Sequence, residues 1–377
     1  MTSSPTTIAF SGYYGMSNFG DDLFGIAASI GAQRYWSPCS VLLAAPRIRG
    51  ANARHVAPRW FPSRAYGSLG ATGKLSRLLA GAVAHRMSGK FIYAGGSLFH
   101  GEGVSASSLL ETVFCGSSEV SAIGVSLGPF KTVKAEKEAR SRLARFEFLS
   151  LRDQSSYDIA KSFGLHCPIV LSADLAATLP LSSPDESARD ERRDIGFSPC
   201  NLPADQERTQ RFCDAFLESV LKANRSSPVR VTILCLNEHP AAGDAKWCRY
   251  VNEKLRIAHV RSEVHYYSRH GVLETCERIS KLDVYFSSRL HGAVVSHLVG
   301  VPFYLHEYHQ KCSEFLDGIG KAEGERASFS ATTSAELGAI LDRLLAKPLP
   351  AAAPDAMRAR SLKSFSEAPW AVDRGLK

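Results

Sequence analysis

The sequence of 377 residues lacks three features that would each assign it to a class of protein. No stretch approaches the ~20 consecutive apolar residues that a membrane-spanning helix needs. The first residues, MTSSPTTIAFSGYYG, contain no basic segment followed by an apolar core, which argues against a secretion signal. The nine cysteines stand singly and form no CxxC pair, so we expect reduced thiols in a cytoplasmic protein and neither a disulfide framework nor a zinc site.

Acidic residues are also absent, but only from one part of the chain. None lies between Asp22 and Glu102, although the whole chain contains 37. The same part holds ten basic residues, which are Arg34, Arg47, Arg49, Arg54, Arg59, Arg64, Lys74, Arg77, Arg86 and Lys90. This region therefore faces an anion, or it forms a solvated basic face without a partner.

The sequence PRWFPSR, residues 58–64, favours a membrane as that anion. Trp60 and Phe61 lie between arginines, and aromatic rings among cations are typical of surfaces that meet lipid headgroups. We therefore expect the region from Arg47 to Lys90 to meet an anionic membrane surface. Nucleic acid would suit the same charge, but the sequence contains no recognition motif for it, and we expect no nucleic-acid partner.

The chain does contain apolar β-branched runs that alternate with helical patterns from end to end, which predicts parallel sheets covered by helices. A polar stretch, PLSSPDESARDERRD, divides this pattern, and KPLPAAAP precedes a last helix. The predicted parts are an N-terminal Rossmann-like domain at 1–180, a linker at 181–194, a C-terminal Rossmann-like domain at 195–346, and a Pro/Ala linker with a C-terminal helix at 347–377. Two such α/β domains predict a glycosyltransferase B-like fold with the active site in the cleft between the domains.

Polar or glycine-rich turns follow many of the predicted strands, in GYYGMSNFGDD, GGSLF, SLGPF, LSLRDQSS, NEHPAAGD and SSRLHG. Ligands of open α/β sheets bind beyond the carboxyl ends of the strands, so these turns outline a binding cleft. The first turn does not match GxGxxG and contains no GK[ST]. Neither a dinucleotide nor a P-loop phosphate is therefore supported.

The first turn instead suits sugar hydroxyls. Asp21 and Asp22 open its helix, where carboxylates favour the positive helix end but repel a phosphate. Together with Asn18 and Gly20 they are candidates for binding a sugar diol. The alternative is that Asp21 only caps the helix and that Asn18 and Asp22 are solvated.

The turn after the strand KFIYA is a candidate anion site. Gly95, Gly96 and Ser97 would present bare backbone amides at the start of a helix, which is a common way to bind an anion. A tight turn with a purely structural role is the alternative.

Two arginines lie at strand ends, one in each predicted domain. Arg152 ends the strand in SLRD, and Arg289 ends the strand in SSRLH. A guanidinium at such an edge can bind a carboxylate or phosphate through paired hydrogen bonds, which suits a small dianion. The alternative for Arg152 is an ion pair with Asp153 or Asp158, whereas Arg289 has no acidic residue nearby in sequence.

His291 stands two residues after Arg289. On an extended strand end the two side chains would share a face, and in the first turn of a helix both could still surround an anion. The neighbouring cation and the helix N-terminus favour a neutral imidazole until a dianion binds and favours the charged form. We interpret His291 as a proton donor that substrate binding activates, and a core histidine is the alternative. HEYH, residues 306–309, does not match HExxH, and we expect no metal.

Taken in order, GYYGMSNFGDDL, GGSLF, VSLGPF, LSLRDQSSYDIAKSFGL, LSADLA and SSRLHGAVVSHLVGVPFYL resemble the motifs of the polysaccharide pyruvyl transferases, over roughly residues 8–318. The resemblance implies a glycosyltransferase B-like fold and the transfer of pyruvate from phosphoenolpyruvate to two hydroxyls of a sugar, with formation of a cyclic ketal and release of phosphate. It implies no metal and no cofactor, since phosphoenolpyruvate is a donor substrate.

The resemblance also implies roles for residues. It maps the family's arginines and histidine onto Arg152, Arg289 and His291 as the catalytic set. The expected substrate-binding residues are Asn18, Gly20, Asp21, Asp22, Gly95, Gly96, Ser97, Asp153, Ser288 and Lys311. We expect the donor on the C-terminal domain and the acceptor, a sugar or a lipid-linked oligosaccharide, on the N-terminal domain.

Two other functions stay open at this point. A nucleotide-sugar glycosyltransferase would use the same fold without turning over phosphoenolpyruvate. A non-catalytic carbohydrate-binding or scaffold protein would tolerate the loss of Arg289 and His291. The transferase interpretation predicts a cytoplasmic protein that is peripheral at the inner face of the membrane.

Overall fold

The computed structural model describes residues 6–36, 39–56, 63–99, 119–181, 193–321, 333–346 and 354–372. The chain divides into two compact α/β units, each with a parallel sheet, which confirms the predicted fold class. The N-terminal unit comprises residues 1–16, 21–179 and 355–377, and the C-terminal unit comprises residues 17–20 and 180–354. Both units are therefore discontinuous in sequence.

The sheet of the N-terminal unit has seven strands in the order β3-β2-β1-β4-β5-β6-β7, and neighbouring strands are parallel. The strands are β1 (Thr6–Ser11), β2 (Cys39–Leu43), β3 (Arg54–His55), β4 (Lys90–Ala94), β5 (Glu119–Val125), β6 (Phe148–Leu151) and β7 (Ile169–Leu171). The helices are α1 (Phe19–Tyr35), α2 (Ser63–Tyr66), α3 (Ala71–Arg86), α4 (Val133–Leu143) and α5 (Gln154–Ser162), with a 3-10 turn at Leu175–Thr178. The apolar run of β6 is buried at every residue, as a central strand of a covered parallel sheet requires.

The sheet of the C-terminal unit has five strands in the order β10-β9-β8-β11-β12, again all parallel. The strands are β8 (Arg193–Ser198), β9 (Val229–Cys235), β10 (Arg261–Tyr266), β11 (Val284–Ser287) and β12 (Phe303–Leu305). The helices are α6 (Gln206–Ser226), α7 (Ala245–Ile257), α8 (Tyr267–His270), α9 (Val272–Ser280), α10 (Leu290–Val299), α11 (Gln310–Gly318) and α12 (Ser334–Ala346). In the core, Phe197 of β8 stacks on Phe216 of α6 with the ring centroids 4.0 Å apart.

Each sheet has one point at which the strand order reverses. In the N-terminal unit it lies between β1 and β4, and in the C-terminal unit it lies between β8 and β11. Loops at the carboxyl ends of such strands diverge and leave room for a ligand. Three of the turns predicted to bind substrate, those after β1, β4 and β11, lie at these two points.

The predicted linker at 181–194 is longer than the structure allows. β8 begins at Arg193, and Asp194 pairs in register with Arg230 of β9, so the last two residues of the predicted linker belong to the sheet. The carboxylate of Asp194 also accepts hydrogen bonds from Arg230, at 2.7 Å from Nη2. The polar sequence predicted a loop at Asp194. In the structure the Asp194 carboxylate pairs with the Arg230 guanidinium, so a charged residue can lie at the start of the strand. Residues 182–192 lie outside the described residues.

The C-terminal helix α13 (Pro354–Ser366) belongs to the N-terminal unit. Its Phe365 is fully buried and its ring lies 5.2 Å from that of Trp36, between ring centroids. The indole Nε1 of Trp36 donates to the carbonyl of Phe365 at 2.9 Å. A side chain at Gly31 would overlap the Phe365 ring, so glycine leaves the space that the ring fills.

No helix within the described ranges is long and apolar enough to cross a bilayer.

We expect Phe365→Ala to lower the free energy of unfolding by about 3 to 5 kcal/mol, because the change leaves a cavity where a buried aromatic ring was. Urea denaturation followed by tryptophan fluorescence measures the effect. Lys363→Ala is the matched control, since this side chain of the same helix is 49% exposed and its loss should change stability by less than about 0.5 kcal/mol. Equal midpoints for the two variants would mean that α13 does not dock in solution.

Candidate functional site

Arg152 lies at the carboxyl edge of the N-terminal sheet and connects three of its strand ends. Its guanidinium donates from Nε to Ser126 Oγ at 2.7 Å, from Nη1 to Asp174 Oδ2 at 3.2 Å and from Nη2 to Ser97 Oγ at 3.3 Å. These partners follow β5, β7 and β4. The Arg152 side chain is only 9% exposed, and the three bonds engage three of its five N–H groups. The guanidinium is thus held in one orientation with donor capacity to spare.

The partner of Arg152 is not the one considered from the sequence. Asp153 and Asp158 were the expected alternatives, but the ion pair forms with Asp174. Asp153 instead caps α5, where its Oδ1 accepts from the backbone N–H of Ser156 at 2.8 Å, and its Oδ2 accepts from Ser126 at 2.7 Å. These contacts give Asp153 a structural role, and substrate binding by it stays a prediction.

Arg289 lies at the carboxyl edge of the C-terminal sheet in a buried ion pair with Asp244. Its Nε donates to Asp244 Oδ2 at 2.8 Å, and its Nη2 donates to Asp244 Oδ1 at 2.5 Å. The Asp244 side chain is 0% exposed, whereas that of Arg289 is 17% exposed. The paired contact uses two of the five N–H groups of the guanidinium. Its remaining edge is therefore the part that can bind an anion.

Asp244 also joins the loops that follow three strands of the C-terminal sheet. Besides Arg289 after β11, its carboxylate accepts from the backbone N–H of Asn201, after β8, at 2.8 Å. The backbone N–H of Asp244 donates to the carbonyl of Asn237, after β9, at 2.7 Å. Removing this carboxylate would release the loops after β8 and β11 from it, whereas the backbone bond to Asn237 would remain.

The electrostatics of the pair keep Arg289 charged. Burial raises the pKa of Asp244, and the charge of Arg289 acts in the opposite direction. Burial lowers the pKa of Arg289, but the Asp244 carboxylate outweighs it, so the pKa of the guanidinium lies well above its ordinary value. A cation is therefore permanently present at the end of β11.

His291 lies in the first turn of α10, because the helix begins at Leu290 with Arg289 as its N-cap. Of the two backbone conformations considered from the sequence, the helical one is present. Ser287 fixes the turn, since its Oγ donates to the carbonyl of Arg289 at 2.7 Å and accepts from the Arg289 N–H at 3.0 Å. Arg289, His291 and the positive end of α10 are thus adjacent.

Gly20 packs against the imidazole of His291. A side chain at Gly20 would overlap Nδ1 of that ring. The segment 17–20 belongs to the C-terminal unit, where Asn18 forms a bridge with Asn237 and the Phe19 N–H donates to the carbonyl of Leu236 at 2.8 Å. Gly20 therefore lies beside His291 and its backbone N–H donates to Asn18 Oδ1 at 3.2 Å. Both predicted residues belong to the C-terminal unit, although the sequence analysis placed them in the N-terminal domain.

Lys311 belongs to the same neighbourhood. Its ammonium lies 5.6 Å from the ring centroid of Tyr308. Burial raises the pKa of the Cys200 thiol to about 11, and the charges of Arg289 and Lys311 both oppose that rise. Burial also raises the pKa of Tyr308 well above its ordinary value, so the phenol stays protonated. Cys200 and Tyr308 were not singled out from the sequence, and they extend the neighbourhood of Arg289.

Asp22 and Asp21 occupy the first turn of α1 and differ in exposure. Asp22 is buried, and its Oδ1 accepts from the backbone N–H of Gly15 at 2.6 Å. Because the helix begins at Phe19, Asp21 does not cap it. Asp21 is partly exposed and lies near Tyr13. The pKa of Tyr13 is raised first by partial desolvation of the phenol, although the side chain is 45% exposed, and second by the Asp21 carboxylate. Asp21 is thus the more available of the two for a ligand.

Gly95 and Gly96 form the sharp turn predicted after β4. Both have positive φ angles, of 73° and 81°. A side chain at Gly95 would overlap the ring of Phe24, so glycine is needed for space as well as conformation. Ser97 accepts the hydrogen bond from Arg152 described above. The helix expected after this turn falls on residues 100–118, which lie outside the described residues.

Three other polar residues have contacts of their own. Ser288 is buried, and its backbone N–H donates to the carbonyl of Ser198 at 2.8 Å. His306 stacks on Phe212 with centroids 4.3 Å apart, and burial lowers its pKa to about 3. His309 caps α11. No group of three or more His, Cys, Asp or Glu side chains in the described part of the chain could hold a metal ion.

The ion-pair partners Asp174 and Asp244 were missed by sequence reasoning. Both belong to sequence motifs, Asp174 to LSADLA and Asp244 to NEHPAAGD, but the sequence does not show that either pairs with an arginine.

Within the described residues of the C-terminal unit, the structure brings together Asn18, Gly20, Arg289, His291 and Lys311. In the N-terminal unit it brings together Ser97, Arg152 and Asp153. The location of the active site between the domains stays a prediction.

Solved structures similar to this chain share its fold. UDP-GlcNAc 2-epimerase from Neisseria meningitidis, bound to UDP-GlcNAc, has a TM-score of 0.62 at 10% identity over 97% of this chain and 99% of that one. A putative UDP-N-acetylglucosamine 2-epimerase from Listeria monocytogenes has a TM-score of 0.57 at 10% identity over 97% and 94%. The glycotransferase of kitacinnamycin has a TM-score of 0.50 at 12% identity, over 96% of each chain. The fold is therefore glycosyltransferase B-like, as predicted.

Comparison with family sequences goes further than the fold. No curated protein matches the chain. Residues 18–310, which are more than half of the sequence, match the family described as polysaccharide pyruvyl transferase. The match includes both arginine motifs and His291, and it confirms the resemblance drawn from the motifs. The chain belongs to the polysaccharide pyruvyl transferase family.

Proposed function

We propose that the protein transfers pyruvate from phosphoenolpyruvate to two hydroxyls of one sugar, with formation of a cyclic ketal and release of phosphate. The observation that carries the proposal is the turn from Arg289 to His291. There a buried carboxylate orients a permanent cation, and an imidazole follows in the first turn of a helix. Phosphoenolpyruvate needs both groups, since it is a multiply charged anion that must be protonated on carbon.

Arg289 is proposed to bind the donor through the guanidinium edge that Asp244 leaves open. Two parallel N–H groups on that edge match a carboxylate or phosphate. Lys311, in the same neighbourhood, supplies a second positive charge. Arg152, which the sequence analysis assigned to the same ligand, keeps that role as a proposal. Its orientation by three strand ends supports a fixed anion contact.

The proposed reaction begins when His291 delivers a proton to the methylene carbon of phosphoenolpyruvate, which makes C2 electrophilic. A sugar hydroxyl adds to C2 and loses its proton. Phosphate then leaves, and a second hydroxyl of the same sugar adds to C2 and loses its proton. One of the two released protons replaces the one given by His291, and the other leaves with phosphate. A diol and phosphoenolpyruvate therefore give a ketal and inorganic phosphate.

The acceptor is proposed to bind through the turn that follows β1. Asp21 is partly exposed there, and the neighbouring Tyr13 is 45% exposed. A carboxylate beside an exposed aromatic ring suits a sugar, since it combines hydrogen-bond acceptors with an apolar face. Asp21 can also take a hydroxyl proton. Asp22 is a weaker candidate because it already accepts from the Gly15 backbone.

The direct test measures phosphate release from phosphoenolpyruvate with a panel of free and lipid-linked sugars, and identifies the product by NMR. A ketal carbon bonded to a carboxylate and a methyl group is expected. Sugar transfer from a nucleotide sugar, without any use of phosphoenolpyruvate, would support the glycosyltransferase alternative instead.

The first prediction of the proposed function separates anion binding by Arg289 from its structural role. Arg289→Ala leaves the buried Asp244 without its partner, which typically costs about 3 to 5 kcal/mol. The neutral pair Asp244→Asn with Arg289→Gln retains hydrogen-bonding groups at both positions. We expect this double variant to be more stable than Arg289→Ala, yet to bind phosphoenolpyruvate at least about tenfold more weakly than wild type, as measured by calorimetry.

Arg152→Ala is the companion variant in that experiment. We expect it to weaken the binding of phosphoenolpyruvate by about tenfold as well. Wild-type affinity in a folded double variant would show that Arg289 is only structural, and wild-type affinity in Arg152→Ala would show the same of Arg152.

The second prediction concerns His291. We expect His291→Gln to leave the Kd for phosphoenolpyruvate nearly unchanged. We expect its kcat to fall by a factor of about 10² to 10⁴, because a general acid is removed. His297→Gln is the matched control on the same helix, since His297 is a buried packing residue whose ring meets those of Phe303 and Phe315. It should lower the melting temperature and leave turnover per folded molecule intact.

Solvent deuterium in the methyl group of the product reports the same step directly. Wild-type enzyme in D₂O should introduce one deuterium into each pyruvyl methyl group. If His291→Gln turns over at the wild-type rate, the histidine is not the acid.

The third prediction follows from the contact between Gly20 and His291. Gly20→Ala must displace the imidazole, because the new methyl group would overlap its Nδ1. We expect kcat to fall by at least about tenfold, while the Kd for phosphoenolpyruvate changes little, because small misplacements of a reacting group are costly. Gly318→Ala is the control, since no described atom lies within 4 Å of the added methyl group. An unchanged kcat for Gly20→Ala would mean that the position of the imidazole does not matter.

A further inference from the structure

Helix α3 presents an apolar stripe to solvent. Leu75, Leu79 and Val83 are 55%, 52% and 45% exposed. They are spaced by four residues, so they lie in a row on one face of the helix. Leu69 before the helix and Met87 after it are also exposed. Single exposed leucines are ordinary, but a row of three on one helix face is not.

The face of α3 next to the stripe fixes the helix on the N-terminal unit. Ser76, Ala80 and Ala84 are buried there. Arg77 holds the start of the helix, because its Nη1 donates to the carbonyls of Tyr66 at 2.7 Å and Ser68 at 2.9 Å. The apolar stripe therefore faces outward from a docked helix.

The charges on α3 are all of one sign. Lys74 beside Leu75 and Arg86 beyond Val83 are exposed, and the helix contains no acidic residue. They flank the apolar stripe at its two ends. The sequence from residue 23 to residue 101 also contains no Asp or Glu. A basic helix with an apolar stripe combines the two attractions that hold an interfacial helix on an anionic bilayer.

We propose that α3 docks on the surface of an anionic phospholipid bilayer. Leu75, Leu79 and Val83 would enter the boundary between headgroups and acyl chains, and Lys74 and Arg86 would contact lipid phosphates. This goes beyond the proposed pyruvyl transfer and does not depend on it. The aromatic residues that suggested a membrane from the sequence, Trp60 and Phe61, lie outside the described residues, so α3 carries the inference on separate evidence.

Charge favours a bilayer over a second copy of the chain or a nucleic acid. Two copies meeting through this stripe would bring two basic helices together, with no carboxylate on either helix to compensate. A nucleic acid would bind the cations but would gain nothing from a row of aliphatic side chains. An anionic bilayer satisfies both the charge and the apolar stripe.

The test is flotation of the full chain with vesicles of equal parts phosphatidylglycerol and phosphatidylcholine, compared with vesicles of phosphatidylcholine alone. We expect clear preference for the anionic vesicles and weaker binding as salt rises. The triple variant Leu75→Gln, Leu79→Gln, Val83→Gln should lower the partition coefficient by about tenfold or more, because three aliphatic side chains no longer enter the bilayer. Lys74→Gln with Arg86→Gln should lower it by about fivefold per charge on anionic vesicles only.

The matched control is Val133→Gln with Ile257→Gln. Both side chains are 68% exposed and neither lies on α3, so their loss should leave partitioning unchanged. Equal binding to neutral and anionic vesicles, or wild-type binding by the triple variant, would overturn the proposal. A lipid-free dimer that becomes a monomer in the triple variant would also overturn it, because the stripe would then be an interface between copies.

Discussion

The buried ion pair between Asp244 and Arg289 is the interaction on which the C-terminal site depends. A carboxylate without solvent contact is unfavourable unless its charge and its hydrogen bonds are satisfied. Asp244 achieves this with a guanidinium and a backbone N–H, drawn from the loops after β11 and β8. The pair thereby sets the orientation of Arg289. In the N-terminal unit the central group is a cation and not a carboxylate, since the Arg152 guanidinium donates to residues at the ends of three strands.

The sequence predicted the sheets and the edge at which the site residues would lie, because apolar runs and polar turns are local patterns. It did not predict the ion pairs. Arg152 and Asp174 are separated by 22 residues, and Arg289 and Asp244 by 45. Parallel strands bring their carboxyl ends to one edge, but which carboxylate meets which arginine depends on the order of the strands. That order is a property of the whole sheet.

Several polar residues of the turns have backbone partners. Asp22 and Asp153 both accept from backbone N–H groups near helix starts. Turns at the end of a sheet contain backbone groups that no strand or helix satisfies, and nearby side chains must satisfy them. A polar residue in such a turn is therefore weak evidence for a ligand-binding site when only the sequence is known. Arg289 is stronger evidence, since only part of its donor capacity is used within the protein.

The placement of α13 in the N-terminal unit affects how the chain can fold as it is synthesised. The residues that complete the hydrophobic surroundings of Trp36 are made after the whole C-terminal unit. A nascent chain that has reached Leu179 therefore exposes an aromatic surface that its own unit cannot yet cover. Exposed apolar surface of this kind favours aggregation and chaperone binding. A fragment that ends at Leu179 would keep this defect permanently, so the N-terminal unit cannot be isolated by simple truncation.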